Sequence, residues 1–194
     1  MTTTATASKR TGGGRGARDR ILAAATELFY FDGINATGVD RVASKADVSK
    51  RTLYKHFPSK AVLVEQYLAH LRAALPDPRE AEAEGPRARL LSLFPVPEQG
   101  VGRMRGCPFH NAAVEAAASM PGVEDFVRLH KLAFLDAVTD LCREFGADDP
   151  VLLGKQIALL YEGAAALSTS LDDSAPWACA RTTAAALLDG SRSA

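Results

Sequence analysis

Apolar residues return along this chain at the spacing of helix faces, and nowhere do they alternate with polar ones long enough to suggest a strand. From Arg18 onward, Ile21, Leu22, Ala25, Leu28 and Phe29 form one apolar stripe. Gly33 then supplies the stop, because a residue that tolerates positive φ closes a helix at little cost. Thr37, with Asp40 three residues on, reads as a capping-box-like start for a short second helix whose apolar face is Val39, Val42 and Ala43. After a tight break at Ala46-Asp47-Val48, Ser49 is placed to cap a third helix that turns Leu53 and Phe57 inward and Lys50, Arg51, Thr52, Tyr54, Lys55 and His56 outward. Pro58 ends that helix. Ser59 then caps a fourth, built on Val62, Leu63, Tyr67, Leu68 and Leu71 and running to about residue 75.

Residues 76–105 are broken by Pro76, Pro78, Pro86, Pro95, Pro97, Gly100 and Gly102 around one short amphipathic piece, 87–94, which predicts a short helix flanked by loops. Long helical patterns return over 109–119, 122–145, 150–171 and 175–188. The expected fold is therefore all-α, about nine helices, with a three-helix N-terminal head and a larger C-terminal helical domain. No internal repeat is visible. Residues 1–17 are Thr-, Gly- and Arg-rich and read as a flexible basic arm whose Lys9, Arg10 and Arg15 suit a polyanion.

Charge changes this picture more than composition does. The chain carries no formal net charge. Its distribution is nevertheless polarised, with twelve Lys and Arg against six Asp and Glu in residues 1–72, and eleven against seventeen in the rest. One end is suited to meet phosphate and the other is not. There is no uncharged apolar run long enough to span a membrane and no hydrophobic signal core at the N-terminus, so the expectation is a soluble, cytoplasmic protein. Cys107, Cys142 and Cys179 are too far apart for a disulfide framework or a paired-cysteine zinc site. Cys107 and His110 share a helical spacing without a second ligand pair, so neither a metal nor another cofactor is expected.

Two short helices joined by a tight turn, the second dense in Lys, Arg, Thr, Tyr and His, have the pattern of a helix-turn-helix over about residues 37–57. The residue types suit the task. Arg and Lys donate to guanine, Thr packs on a thymine methyl, and Tyr hydroxyls and Lys reach phosphates. Lys50, Arg51 and Thr52 stand in the first turn after Ser49, the part of such a helix that points into the major groove. Lys60 adds its charge to the positive end of the fourth helix and would grip phosphate without reading sequence.

Residues 20–63 resemble the N-terminal domain of tetracycline-repressor-type (TetR family) regulators. The likeness is carried by Ala24, Leu28-Phe29, Gly33, Thr37, Val39, Ala43, Ala46, Val48-Ser49, Thr52-Leu53-Tyr54, His56-Phe57 and Ser59-Lys60. It implies a DNA-binding transcriptional regulator, here expected to be a repressor and not an enzyme. Its helix-turn-helix domain would span 18–58 and its effector-binding and dimerisation domain 59–194. The DNA-facing residues it implies are Thr37, Ser49, Lys50, Arg51, Thr52, Tyr54, Lys55, His56 and Lys60. Two positions depart from the family pattern: Asp47 stands where a turn glycine is usual, and Gly38 where a second Thr or Ser often stands. Arg105-Gly106-Cys107-Pro108-Phe109 with Asn111-Ala112-Ala113 is similar to the start of the sixth helix in one branch of the family, whose eighth helix contains the counterpart of Leu159-Leu160-Tyr161-Glu162-Gly163.

The implied partners are double-stranded operator DNA, a second copy of the chain through the last two long helices, and a small-molecule effector. Small residues at 163–166 and 182–186, beside Leu159, Leu160, Leu167, Leu187 and Leu188, suit a close four-helix interface. Effector-lining candidates are the large or polar-tipped residues of the later helices: Met104, Cys107, Phe109, His110, Phe126, His130, Phe134, Tyr161 and Trp177. Helix 59–75 is the expected lever between effector and head. Three other readings compete. An enzyme would need a phosphate loop, nucleophile elbow or metal-ligand spacing, none of which the sequence displays. An architectural DNA-binding protein would need no effector, and a thiol-based redox sensor would use Cys107 near its helix start.

Overall fold

The computed structural model describes residues 15–95, 105–116 and 119–192, and no strand occurs among them. Their helices are α1 (Arg15–Asp32), α2 (Val39–Lys45), α3 (Lys50–His56), α4 (Lys60–Ala74), α5 (Gly85–Ser92), α6 (Pro108–Ala116), α7 (Pro121–Phe145), α8 (Pro150–Leu171) and α9 (Ala175–Asp189). One feature of the proline-rich stretch departs from a plain loop: Pro78–Glu80 forms a 3-10 turn, begun by the Asp77 carboxylate accepting from Arg79 N. The helix starts agree with local chemistry in most places. Ser49 Oγ accepts from Thr52 N at 3.1 Å, Ser59 Oγ from Val62 N at 3.1 Å, and an Asp149 carboxylate oxygen from Leu152 N at 2.9 Å. The basic arm read over 1–17 lies outside the described residues as far as 14, and α1 begins at Arg15, three residues earlier than its apolar stripe suggests.

Two compact units, Met1–Tyr67 and Leu68–Ala194, divide the chain inside α4. In the first, Ile21, Ala25, Leu28 and Phe29 of α1 are buried with Ile34, Val42, Leu53, Phe57, Leu63, Val64 and Tyr67. Phe29 and Tyr67 meet edge to face at 5.6 Å. Gly33 holds φ +94, the left-handed conformation that its place after α1 demands.

In the second unit α7 packs on α8, α8 on α9, and α5 and α6 on α7. Their shared core includes Leu90, Phe94, Val138, Leu141, Cys142, Leu153, Ile157, Trp177, Ala184 and Leu188. Arg181 Nη1 donates to Leu91 O at 2.6 Å, adding a side-chain donor to a carbonyl at the end of α5 that also accepts from Phe94 N at 3.2 Å. Burial pushes the Cys142 thiol up to about 11, as befits a small apolar filler rather than a reactive group. The α7–α8 approach is set by Gly154: a Cβ there would stand 2.5 Å from Thr139 Oγ1 and 3.0 Å from Thr139 Cα.

Because the backbone itself blocks that space, Gly154→Ala is expected to destabilise the protein by about 1–3 kcal/mol through overpacking. Chemical denaturation of the full chain measures this, and an unchanged midpoint would mean that α7 and α8 are free to separate.

Candidate functional site

The turn between α2 and α3 is built from backbone bonds and one long-range side chain. Ala46 N donates to Val42 O at 2.9 Å and Val48 N to Ala43 O at 3.0 Å, while Asp47 takes φ +52 where the resemblance leads one to expect glycine. Aspartate is among the few side-chain-bearing residues that enter this left-handed region at modest cost. Arg20 of α1 reaches across to donate its Nε to Ala46 O at 3.0 Å, so the last carbonyls of α2 are not left to water. The turn thus depends on α1 as well as on its own sequence.

α3 is oriented by Leu53 and Phe57, both wholly buried, with Arg18 lying 5.3 Å over the Phe57 ring. Its remaining side chains face away from that core: Lys50, Arg51, Tyr54 and Lys55 are exposed, Thr52 and His56 half-buried. Ser49 Oγ and Thr52 Oγ1 lie 2.8 Å apart, so both hydroxyls already have local partners. Lys60 is half-buried in the first turn of α4.

Thr37 does not belong with these residues. It is fully buried and its hydroxyl donates to Leu28 O at 3.4 Å, so it ties the α1–α2 connection together and presents nothing to a ligand. The residue that starts α2 is Gly38, which makes no side-chain cap bond, in place of the expected Thr37–Asp40 box. A Cβ at Gly38 would meet nothing within 4 Å, so packing does not require glycine there.

The cations of the head are not equally available. Arg41 pairs with Asp32 at 2.9 Å and Lys45 with Glu27 at 2.7 Å, tying α2 back to α1. Lys50 of α3 pairs with Asp40 of α2 at 2.9 Å, and that hydrogen bond raises the pKa of its ammonium. Among the described residues, Arg51, Lys55 and His56 form no ion pair.

In the C-terminal unit, a cleft of about 180 Å³ is lined by Cys107, His110, Asn111, Glu162, Ala165, Ala166, Thr169 and Ser170. Gly106, at φ +67, lies so close to α8 that a Cβ would collide with Thr169 Oγ1, which brings Cys107 to the cleft wall. Lys131 of α7 forms a half-buried ion pair with Glu162 and donates to Cys107 Sγ at 3.5 Å.

Of the nine effector candidates, Cys107 and His110 line this cleft, and Met104 lies outside the described residues. Phe109 is buried and stacks on His130 at 3.7 Å. Burial, with Lys131 and Arg72 nearby, pushes that imidazole down to about 4, so it is a neutral ring at ordinary pH. Tyr161 packs against Phe134 at 5.0 Å and Trp177 at 5.4 Å as part of the core, where burial pushes its phenol up to about 12. Phe126 is half-buried on α7. Sequence reasoning passed over Asn111, Lys131, Glu162 and Thr169. Glu162 did leave a trace, as a carboxylate interrupting the apolar run at 157–161.

Residues 21–67 match the family model of bacterial regulatory proteins, tetR family. Over 55 residues the chain is 47% identical to the HTH-type transcriptional activator FasR of Mycolicibacterium smegmatis, a match covering 28% of this chain and only 24% of FasR. The fold likeness reaches much further. A TetR-family transcriptional regulator from Streptomyces coelicolor, SCO4454, superposes with a TM-score of 0.79 at 29% identity, covering 91% of this chain and 96% of that one. A second TetR-type regulator structure, sav143 from Streptomyces avermitilis, gives 0.73 at 28% identity, covering 90% and 97%. Residues 21–67 therefore carry the pattern of the tetR family of bacterial regulatory proteins, and through nine-tenths of its length the chain is similar in fold to TetR-family transcriptional regulators.

Proposed function

We propose that this protein is a sequence-specific transcriptional repressor that binds a palindromic operator as a homodimer and is released when a small molecule occupies its C-terminal unit. The observation that carries the reading is the exposed face of α3. Two buried anchors, Leu53 and Phe57, turn Lys50, Arg51, Tyr54 and Lys55 outward together, and Ser49 caps the turn from which the first of them project. A short cationic helix held rigidly by its opposite face is what insertion into a major groove requires. Lys60 at the start of α4 supports a phosphate grip beside it.

Dimerisation is supported by what α8 and α9 leave uncovered. On α8, Leu152, Leu159, Gly163, Leu167 and Ser170 are exposed along one side; on α9, Ala178, Cys179, Thr182, Thr183 and Ala186 are. Leucines beside a strip of small side chains let two helices from each copy approach closely. Twofold symmetry would then present two α3 helices to half-sites about 34–36 Å apart, or a multiple of that spacing.

The effector is assigned to the cleft containing Cys107, His110, Asn111 and Glu162. At about 180 Å³ it is smaller than the usual ligand pocket, so it suits a compact molecule with a polar group directed at the Lys131–Glu162 pair. Linkage supplies the mechanism. An effector that favours a conformation unsuited to DNA must weaken DNA binding by the same factor by which DNA weakens effector binding. FasR bears the name activator, so the sign of regulation is read from transcription itself: a repressor loses promoter occupancy and gains transcript when effector is added. A second reading, favoured by the Lys131–Cys107 contact, makes the Cys107 thiol the sensing group.

Arg51→Ala is expected to relax base preference at one operator position and weaken operator binding by roughly 1–3 kcal/mol, whereas Lys60→Ala should weaken all duplexes alike and lower the salt slope by about one. Fluorescence anisotropy on operator and scrambled duplexes separates the two, and identical behaviour of both variants on both duplexes would defeat sequence-specific reading. Leu159→Glu, on the exposed side of α8, should yield monomers by sedimentation and lower operator affinity on the order of a hundredfold through lost bivalency. Any small molecule that raises the melting temperature through the cleft should lose its effect on DNA binding in Glu162→Gln. A Cys107→Ser protein that still releases DNA under the inducing signal would rule out the thiol reading.

A further inference from the structure

The Lys50–Asp40 pair stands out from the other ion pairs of the head. Arg41–Asp32 and Lys45–Glu27 join α2 to α1, whereas this pair joins the first turn of α2 to the first turn of α3, on the face that carries Arg51 and Tyr54. Both partners are open to solvent, with 53% of the Lys50 side chain and 73% of the Asp40 side chain exposed. The Lys50 ammonium engages both carboxylate oxygens, Oδ1 at 2.9 Å and Oδ2 at 3.0 Å. So exposed a pair contributes little to stability. A carboxylate on a surface meant for polyanionic DNA is also a liability there, since it repels every phosphate it approaches.

The pair makes chemical sense against the edge of a base pair. In the major groove a G·C pair presents two acceptors, guanine N7 and O6, beside one donor, the N4 amino group of cytosine. O6 and N4 are themselves joined by a Watson–Crick hydrogen bond, so they lie about 2.9 Å apart, within the ordinary range for N–H···O. The ammonium and carboxylate of Lys50 and Asp40 stand at the same separation with the complementary polarity. Lysine donates to guanine O6 and N7, and aspartate accepts from cytosine N4.

We propose that Lys50 and Asp40 act as one unit that reads a single G·C pair in each operator half-site, with Asp40 the specificity-determining residue. This rests on the reading of α3 as the helix that enters the major groove. A thymine or guanine opposite Asp40 offers the carboxylate no donor, so its charge stays uncompensated, whereas an adenine there offers N6 to Asp40 but sets a thymine methyl against Lys50 where guanine would present N7. Discrimination therefore comes from rejecting wrong bases as much as from holding the right one. Lys50 by itself, freed from its carboxylate, would serve any phosphate or acceptor within reach.

The test is selection of bound sequences from a pool of random 30-base-pair duplexes by the full-length protein, its Asp40→Ala variant and its Lys50→Ala variant, followed by affinity measurements on single-base variants of the enriched site. Wild type should enrich a palindrome with one G·C pair per half-site that Asp40→Ala no longer requires, with discrimination there falling on the order of tenfold and preference elsewhere retained. The double variant should lose no more at that position than Lys50→Ala alone, because the two side chains act together. The proposal is overturned if Asp40→Ala enriches the same site as wild type, or if it tightens binding to every duplex equally, as removal of one repulsive charge would. If wild type itself enriches no sequence, the DNA-reading assignment fails and this one with it. Melting curves of the variants close to wild type establish that an exposed pair, and not the fold, was altered.

Discussion

The burial of Leu53 and Phe57 is the constraint from which the head takes its purpose. α3 has only seven residues, too few to persist on helix propensity in water, so it exists because those two side chains are removed from solvent as α3 packs against α1 and α2. Once they are seated, the helix has no rotational freedom left, and Lys50, Arg51, Tyr54 and Lys55 are displayed without any attraction of their own holding them outward. The same core fixes the turn: Arg20 can cap Ala46 only because α1 is already packed beside α2. A positively charged surface is thereby made rigid by apolar contacts on its far side, which keeps its ordering entropy out of any binding step.

Charge is then distributed over that frame with a division of labour. Arg41 and Lys45 are tied to acidic residues of α1, Lys50 is shared with Asp40, and Arg51 and Lys55 are left to water. The surplus of cations in residues 1–72 consequently overstates how many are available to a polyanion. It is the internal pairing, and not the count, that makes individual cations different from one another.

The C-terminal unit is organised by close approach. Gly154 lets α8 lie against Thr139 of α7, and Gly106 lets the chain before α6 press on Thr169 of α8. Aromatic rings fill the space so enclosed, with Tyr161 between Phe134 and Trp177 and the neutral His130 stacked on Phe109. What remains open is a small cleft whose wall carries Cys107 and Glu162, the latter balanced by Lys131. Large aromatic residues, the obvious lining candidates, thus serve mainly as structure here, while small and polar residues border the opening.

Local signals in the sequence carried the helices far: periodic apolar stripes, capping serines at 49 and 59, Gly33, and the helix-breaking Pro58 and Pro76 all act within a few residues, so their consequences are readable without a fold. The outward set on α3 was legible for the same reason, since two inward positions on a short helix determine the rest. Thr37 was misjudged because a threonine before a helix looks like a cap, and only the packing of α1 shows that it is buried and bonded to Leu28. Asp40, Lys131 and Glu162 acquired meaning only from partners 10 to 31 residues away in the chain. Side-chain pairing between elements depends on how helices are brought together in space, and that information is spread over the whole core instead of residing in any stretch a reader can scan.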